Sequence, residues 1–430
     1  MRSARAGRRR PLTGRTPFYY GWVILGVAAL GIFASGPGQT YNFSVFLDPV
    51  IEETGWTRTQ ITGLYAAGSL TAAVLIIGVG RLLDRYGARV VLSAVVALFG
   101  LAALWMSRVD TPLDLYLGFA FIRTLGQGSM TMVPTTLVAI WFVRRRGRAT
   151  ALAMLGGAAS AMAFPLVSHA LITEFGWRTA WVALAFVIWG LMLLPALLLV
   201  RRSPESVGLA PDNARGGDGA ADAASSVADD FSMREAMRTR AFWFLLLAGS
   251  SFSLIGTALT FHNVSLLTGK GLDAGTAAGV LSVMAAASIG ANLAAGYLND
   301  RFPNRFVFAG AQCVLVGAML FTFVVSSAWL ALAYGAILGA GMGLGMNTNT
   351  VIWPNYFGRR NLGSIRGMAM TSTMAFAALG PLPFSMLYDL SDSYDLALVV
   401  FLALPAACAA LALLSPRPIK QAARRTIRGG

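Results

Sequence analysis

The chain has 430 residues, of which 56% are hydrophobic and 12% charged, half the charged share of a soluble globular domain (about 25%). So few charges cannot clothe a water-soluble surface, whereas roughly 240 apolar residues would furnish twelve membrane crossings of about 20 residues each. The net charge of +15 sits in short clusters between apolar runs rather than on one folded polar face, which excludes a nucleic-acid partner.

Residues 1–18 form a basic segment, and the apolar run that follows lacks a short hydrophobic core ending in a small-residue cleavage site. It therefore reads as a first membrane helix over about 19–46, not as a signal peptide. Gly36-Pro37-Gly38 should kink or loosen this helix in mid-membrane. Further apolar runs near 60–80, 90–106, 115–142, 149–172 and 179–200 complete a first bundle of six spans over 19–200. Residues 201–240 are polar and too poor in apolar side chains to fold alone, so they read as a cytoplasmic linker. Runs near 242–263, 276–298, 306–326, 329–354, 367–388 and 396–415 make a second six-span bundle over 241–415, followed by a basic tail, 416–430. Cys313 and Cys408 both lie inside apolar runs, which argues against a disulfide framework or a thiolate metal site.

Lys and Arg alternate sharply between the two sides. One side collects 29 of them: the N-terminus, Arg81/Arg85/Arg89, Arg144–Arg148, the linker, Arg301/Arg305, Arg359/Arg360/Arg366 and the C-terminus. The other holds Arg58, Arg108, Arg178 and Lys270. The positive-inside rule then places both termini in the cytoplasm of a multi-pass protein of the plasma membrane, here a bacterial inner membrane.

The two halves echo each other at a constant offset. Gly80-Arg-Leu-Leu-Asp84-Arg85-Tyr-Gly-Ala-Arg89 after span two is answered by Gly296-Tyr-Leu-Asn-Asp300-Arg301-Phe-Pro-Asn-Arg305 after span eight, 216 residues later. Thr57 and Asp273, suited to N-cap spans two and eight, keep the same offset, as do Pro165 and Pro381. Gly126-Gln127-Gly128 and Gly341-Met342-Gly343 differ by 215. Duplication explains all of these together.

On these motifs the chain resembles the major facilitator superfamily over nearly its whole length. The Gly80–Arg89 loop is similar to that family's cytoplasmic loop motif, and Arg123-Thr-Leu-Gly126-Gln-Gly128 to its span-four motif. Tyr19-Tyr20-Gly21-Trp22, Phe142–Arg148 and Arg201-Arg-Ser-Pro204 through Pro211-Asp212 resemble the monocarboxylate-transporter and oxalate/formate-antiporter branch. The resemblance implies an all-α membrane protein of twelve helices in two pseudo-symmetric bundles, rocking about a shared site near the midplane. It also implies a monomer without cofactor, moving a small organic solute.

The loop motif can be given a physical role. Asp84 and Asp300 are expected to face helix N-termini of the opposite half, near Arg366 and Arg148, where a carboxylate gains from the helix dipole and from a charge-assisted bond. With Gly80, Arg85, Arg89 and Arg301 they would hold the cytoplasmic mouth closed; the plainer reading is that these charges only fix topology.

Candidate solute contacts are the polar residues inside spans. Arg123 is the one Lys or Arg well within a span, and it should face the bundle interior or water, with Gln127 one turn on. It either draws in an anion or ties spans one and four together. His262, at the end of span seven, could carry a proton or bond a carboxylate, or be an ordinary interfacial histidine. Tyr41 and Asn42 follow the span-one kink; Ser288 and Asn292 lie one turn apart on span eight; Asn347, Asn349 and Trp353 lie on span ten. Buried amides need partners, and a solute or a neighbouring helix can be one.

Where the branch leads one to expect a cation in span eight, this chain has Ser288 and Asn292, and span eleven has no Lys or Arg beyond Arg366 at its start. No fixed cation is therefore expected in the second half: either Arg123 and His262 substitute for it, or the solute is not a simple monocarboxylate. The leading reading is a transporter of an organic monoanion with proton symport; the alternative is an exporter of amphipathic compounds by proton antiport. No Walker-type loop appears, which argues against ATP drive. The two histidines lie on different spans without an acidic or cysteine partner, which argues against an enzyme.

Overall fold

The structure, a computed structural model, describes residues 18–213 and 230–418. The basic N-terminus, most of the basic tail and the middle of the linker lie outside the described residues. Regular structure among those residues is helical throughout.

Most spans are single helices that stop where the sequence supplies a turn: Ala88–Met106, Arg240–Phe261, Asn304–Phe321, Ala328–Phe357 and Asp395–Leu413. Spans two (Arg58–Tyr86) and eight (Ala274–Arg301) begin on matching N-caps: the Thr57 hydroxyl accepts from Gln60 N–H, and the Asp273 carboxylate accepts from Thr276 N–H.

Three spans are broken. Span one runs Gly21–Phe33, passes through a 3-10 turn at Gly36–Gly38 and resumes as Thr40–Thr54. Pro37 lacks the N–H an α-helix needs, and Gly38 lies so close to Ile122 and Gly126 of span four that a Cβ would collide with their backbone. Span four is Pro112–Ile122, a π-helical stretch Arg123–Ser129, and Met130–Trp141. Side chains add to the bonding of the widened turn: Thr124 Oγ1 donates to Ala120 O at 2.6 Å and Ser129 Oγ to Thr124 O at 2.7 Å. Span eleven is Leu362–Leu379 and Pro381–Ser391, interrupted at Gly380-Pro381.

Nine segments among the described residues are individually long and apolar enough to cross a membrane. One of them, Arg146–Leu198, has 53 residues, about 80 Å of helix where about 30 Å spans the hydrocarbon. It is two spans, reversing at Gly176, whose φ of 79° a glycine adopts without strain. Gly147 near its start meets Asp300, and Leu199 just past its end accepts from the Tyr20 hydroxyl, both on the Arg-rich face. Trp177 and Arg178, beside the reversal, bind Glu53 on the opposite face. Spans four and eleven, each shortened by its break, bring the crossings to twelve.

One hydrophobic core joins spans one to six, and two others lie almost wholly among residues 231–412. The halves meet along two seams, span two against span eleven and span five against span eight. Both seams are backbone contacts made through glycine. A Cβ at Gly80 would collide with the Gly363 carbonyl, and a Cβ at Gly147 with the Gly296 carbonyl. Gly80 and Gly296, and Gly147 and Gly363, keep the 216-residue offset, so the seams are copies of one another.

Candidate functional site

Between the halves lies a cavity of about 320 Å3, within the size range of small-molecule sites. The second half supplies most of its wall: Ser253 and Thr257 of span seven, Ser288 of span eight, Asn349 and Trp353 of span ten, and Arg366 of span eleven. Thr131 and Met154 face it from the first half, and methionines and Phe252 fill the apolar remainder. No Asp, Glu or His is among the lining residues.

Arg366 is the cavity's charged group, and its placement corrects two expectations. It does not join Asp84 at the loop motif, and the second half does not lack a fixed cation. Its side chain is buried, and Nη1 donates to Thr136 Oγ1 of span four at 3.0 Å. Nε and Nη2 have no hydrogen-bond partner among the described residues. A guanidinium held inside a membrane bundle by one neutral hydroxyl is costly unless something anionic visits it. Asn349 adds a second unmet demand, because its Oδ1 is buried with no partner.

Asn292 and Asn347, expected beside the solute, are engaged elsewhere. Arg146 Nη1 donates to Asn355 Oδ1. Asn355 Nδ2 donates to Asn304 Oδ1 at 2.7 Å, and Asn304 Nδ2 to Asn299 Oδ1 at 2.9 Å. Asn299 Nδ2 donates to Asn347 Oδ1 at 3.1 Å, Asn347 Nδ2 to Asn292 Oδ1 at 3.2 Å, and Asn292 Nδ2 to Ala151 O at 3.1 Å. A donor-only guanidinium heads this chain and a carbonyl ends it, so every amide must point the same way. Both ends lie on span five and all five amides lie in the second half.

The first-half candidates do not reach the cavity wall. Arg123 Nε donates to Ser69 Oγ at 3.1 Å and Nη1 to Thr40 Oγ1 at 2.9 Å, and its guanidinium lies over the Tyr65 ring, 4.7 Å from the centroid. It ties spans one, two and four together through hydroxyls. Tyr41 donates to Ser160 Oγ at 2.8 Å. Asn42 accepts from Ser168 at 2.7 Å, while its Nδ2 and the Gln127 Oε1 are buried without partners. His262, 7% exposed, sits among spans seven, eleven and twelve: Nδ1 is 3.0 Å from the Tyr394 hydroxyl and Nε2 is 3.1 Å from the Pro381 carbonyl.

At the Arg-rich face, Asp84 accepts from Gly363 N–H and Ser364 N–H, each at 2.7 Å, at the N-terminus of span eleven. Asp300 accepts from Gly147 N–H at 2.6 Å and Arg148 N–H at 3.3 Å at the N-terminus of span five, and pairs with the Arg148 guanidinium at 3.5 Å. Arg148 and Arg301 flank the Tyr297 ring, Arg85 lies over Tyr86, and Arg89 is exposed. Sequence reasoning missed a second pair of acidic clamps at the linker's ends. Asp212 accepts from Val143 and Arg144 N–H at 2.7 Å, and Asp230 from Arg359 N–H at 2.7 Å and Arg360 N–H at 3.2 Å. The sequence signal was available, since Val143 and Arg359 keep the repeat offset and each follows a span ending in an aromatic pair.

Two copied six-helix bundles closing on a small cavity between them have the architecture of a membrane carrier. The chain belongs to the Major Facilitator Superfamily, whose family model matches residues 22–381; it is a multi-pass secondary transporter and not an enzyme. It is similar to the probable sulfoacetate transporter SauU of Cupriavidus necator (26% identity, covering 88% of this chain and 90% of that one). It is also similar to the oxalate:formate antiporter of Oxalobacter formigenes (24% identity, 88% of each chain). The fold matches the crystal structure of FucP in the outward conformation with a TM-score of 0.68 at 14% identity, over 94% of this chain and all of that one.

Proposed function

We propose that the protein carries a small organic anion, a monocarboxylate or an acid of similar size, across the plasma membrane, with the Arg-rich face and both termini in the cytoplasm. The observation that carries this reading is Arg366: a buried cation on the cavity wall, with two donor-bearing nitrogens unbonded among the described residues and no carboxylate among those that line the cavity. A guanidinium fork matches a carboxylate in geometry and charge. The same feature disfavours export of lipophilic cations. The names of the relatives, which concern oxalate, formate and sulfoacetate, lie in the same chemical class.

Arg366 belongs to the second half and Thr136 to the first, so their bond is one of those that join the halves. An anion that drew the guanidinium from Thr136 would loosen the Arg-rich face as it bound, which links occupancy to opening. Proton symport then balances the charge of an inward-moving anion. Exchange of one anion for another is a second reading favoured by the same residue: the empty carrier must bury an uncompensated guanidinium as it rearranges, whereas the loaded one does not.

The test is a thermal-shift screen of the purified protein against carboxylates, neutral metabolites and lipophilic cations, followed by proteoliposome uptake of whichever compound stabilises it. Arg366→Gln should lower uptake at least about tenfold, the worth of one charge-assisted bond, while Arg366→Lys retains part of it. Near-normal uptake by Arg366→Gln would overturn the assignment. A pH gradient that drives accumulation favours symport; counterflow indifferent to pH favours exchange.

A further inference from the structure

A second cavity, of about 540 Å3, opens at the Arg-rich face, away from the solute cavity. Four arginines line it: Arg146 at the start of span five, Arg305 at the start of span nine, Arg359 in the loop after span ten, and Arg417 in the segment after span twelve. No acidic residue is among the lining residues. Arginines that merely fix topology need only stand apart in water, whereas these converge from four places in the chain, and like charges so gathered repel.

The cavity is built, not incidental. Arg146, 4% exposed, forms part of its wall and is held by the carbonyls of Ala139 and Phe142 as well as by Asn355. The Tyr356 hydroxyl donates to Ser415 O at 2.8 Å, which tethers the segment carrying Arg417 across the opening. Arg359 is partly neutralised by Glu205 at 3.0 Å, a residue that does not line the cavity. Arg305 lies over its neighbour Phe306 and has no acidic partner among the described residues.

We infer that this cavity is a binding site for a phosphate group carried on a larger molecule. A phosphate ester brings between one and two negative charges and several acceptor oxygens in divergent directions, which suits guanidinium forks approaching from different sides. A flat carboxylate satisfies only one fork at a time. The space exceeds that of the phosphate alone, and it opens at the ends of spans, where lipid headgroups and soluble cytoplasmic phosphate esters both have access. Arg146, whose three nitrogens are already held by Ala139, Phe142 and Asn355, contributes charge from the wall, while the arginines of the second half would reach the phosphate.

The test uses the full-length protein in neutral detergent, with thermal midpoint as the readout and two probes titrated separately: inorganic phosphate, and phosphatidylglycerol against a phosphatidylcholine control. At least one phosphate probe should raise the midpoint. Arg305→Gln should weaken its binding about tenfold, and the double variant Arg305→Gln, Arg417→Gln about a hundredfold. Arg360→Gln, an exposed arginine of the same loop outside the cavity wall, should bind as the wild type does. Stabilisation by phosphate identifies a soluble ligand, and stabilisation by phosphatidylglycerol alone identifies a lipid; both support the site. No stabilisation by either probe, or wild-type affinity in the double variant, would overturn it.

Discussion

Arg123 and Arg366 are both guanidiniums inside the bundle, but their surroundings assign them different work. Arg123 spends Nε and Nη1 on hydroxyls of two other spans and stacks on Tyr65; Arg366 spends one nitrogen and turns the rest to a cavity. Sequence position favoured Arg123, because it lies deep in a span while Arg366 stands near a helix start. The deciding fact was the direction of the Arg366 side chain, onto the cavity wall and Thr136, which no spacing in the chain encodes. Arg123→Lys keeps the charge but loses the fork, so it should lower the thermal midpoint while leaving the KM of the transported solute unchanged. A raised KM with an unchanged midpoint would make Arg123 a solute contact instead. His262 follows the same logic: its ring nitrogens face Tyr394 and Pro381, and it is not among the residues that line the cavity.

Helices in this protein gain their register from polar side chains as much as from apolar packing. The five-asparagine chain links spans eight, nine and ten to span five, and four of its members are buried. Removing one member leaves its neighbours' amides short of partners, each at a cost of about 1–3 kcal/mol. Asn347→Leu, which strips partners from Asn299, Asn292 and Gly147, should therefore lower the unfolding midpoint markedly, and more than Asn349→Leu, which removes an amide oxygen that already lacks a partner. Equal midpoints for the two variants would mean that the chain is energetically idle. The spacing of seven between Asn292 and Asn299 places both on one helix face, a legible sign of a shared partner. The partner itself was illegible, since it depends on which face of span ten turns inward. The break in span one was readable from Gly36-Pro37-Gly38, where glycines flank a missing N–H; proline alone is not enough, since Pro134, Pro165 and Pro354 lie inside continuous helices. The π-helical turn of span four was not readable, because its glycines permit a widened turn without requiring one.

The repeat was the most readable feature of the whole molecule, and it extends from sequence to contacts. Asp84 with Gly363 and Ser364, and Asp300 with Gly147 and Arg148, are one arrangement written twice, because duplicated halves that fold alike must meet alike. Glycine on both sides of each of the two backbone crossings lets the seams close, so Gly80→Val should wedge span two from span eleven and slow turnover more than it weakens solute binding; unchanged turnover would show that the seam need not close. Conformational cycling follows from the same geometry. The Asp84 and Asp300 clamps both join the halves at the Arg-rich face, so opening that face means breaking them together. Spin labels at Tyr86→Cys and Arg360→Cys, both exposed sites on opposite sides of one seam, in a Cys313→Ala background, measure this directly. The unliganded protein should give a predominantly short distance, and Asp84→Asn with Asp300→Asn should move population to a longer one. Superimposable distance distributions with and without the two aspartates would contradict the account.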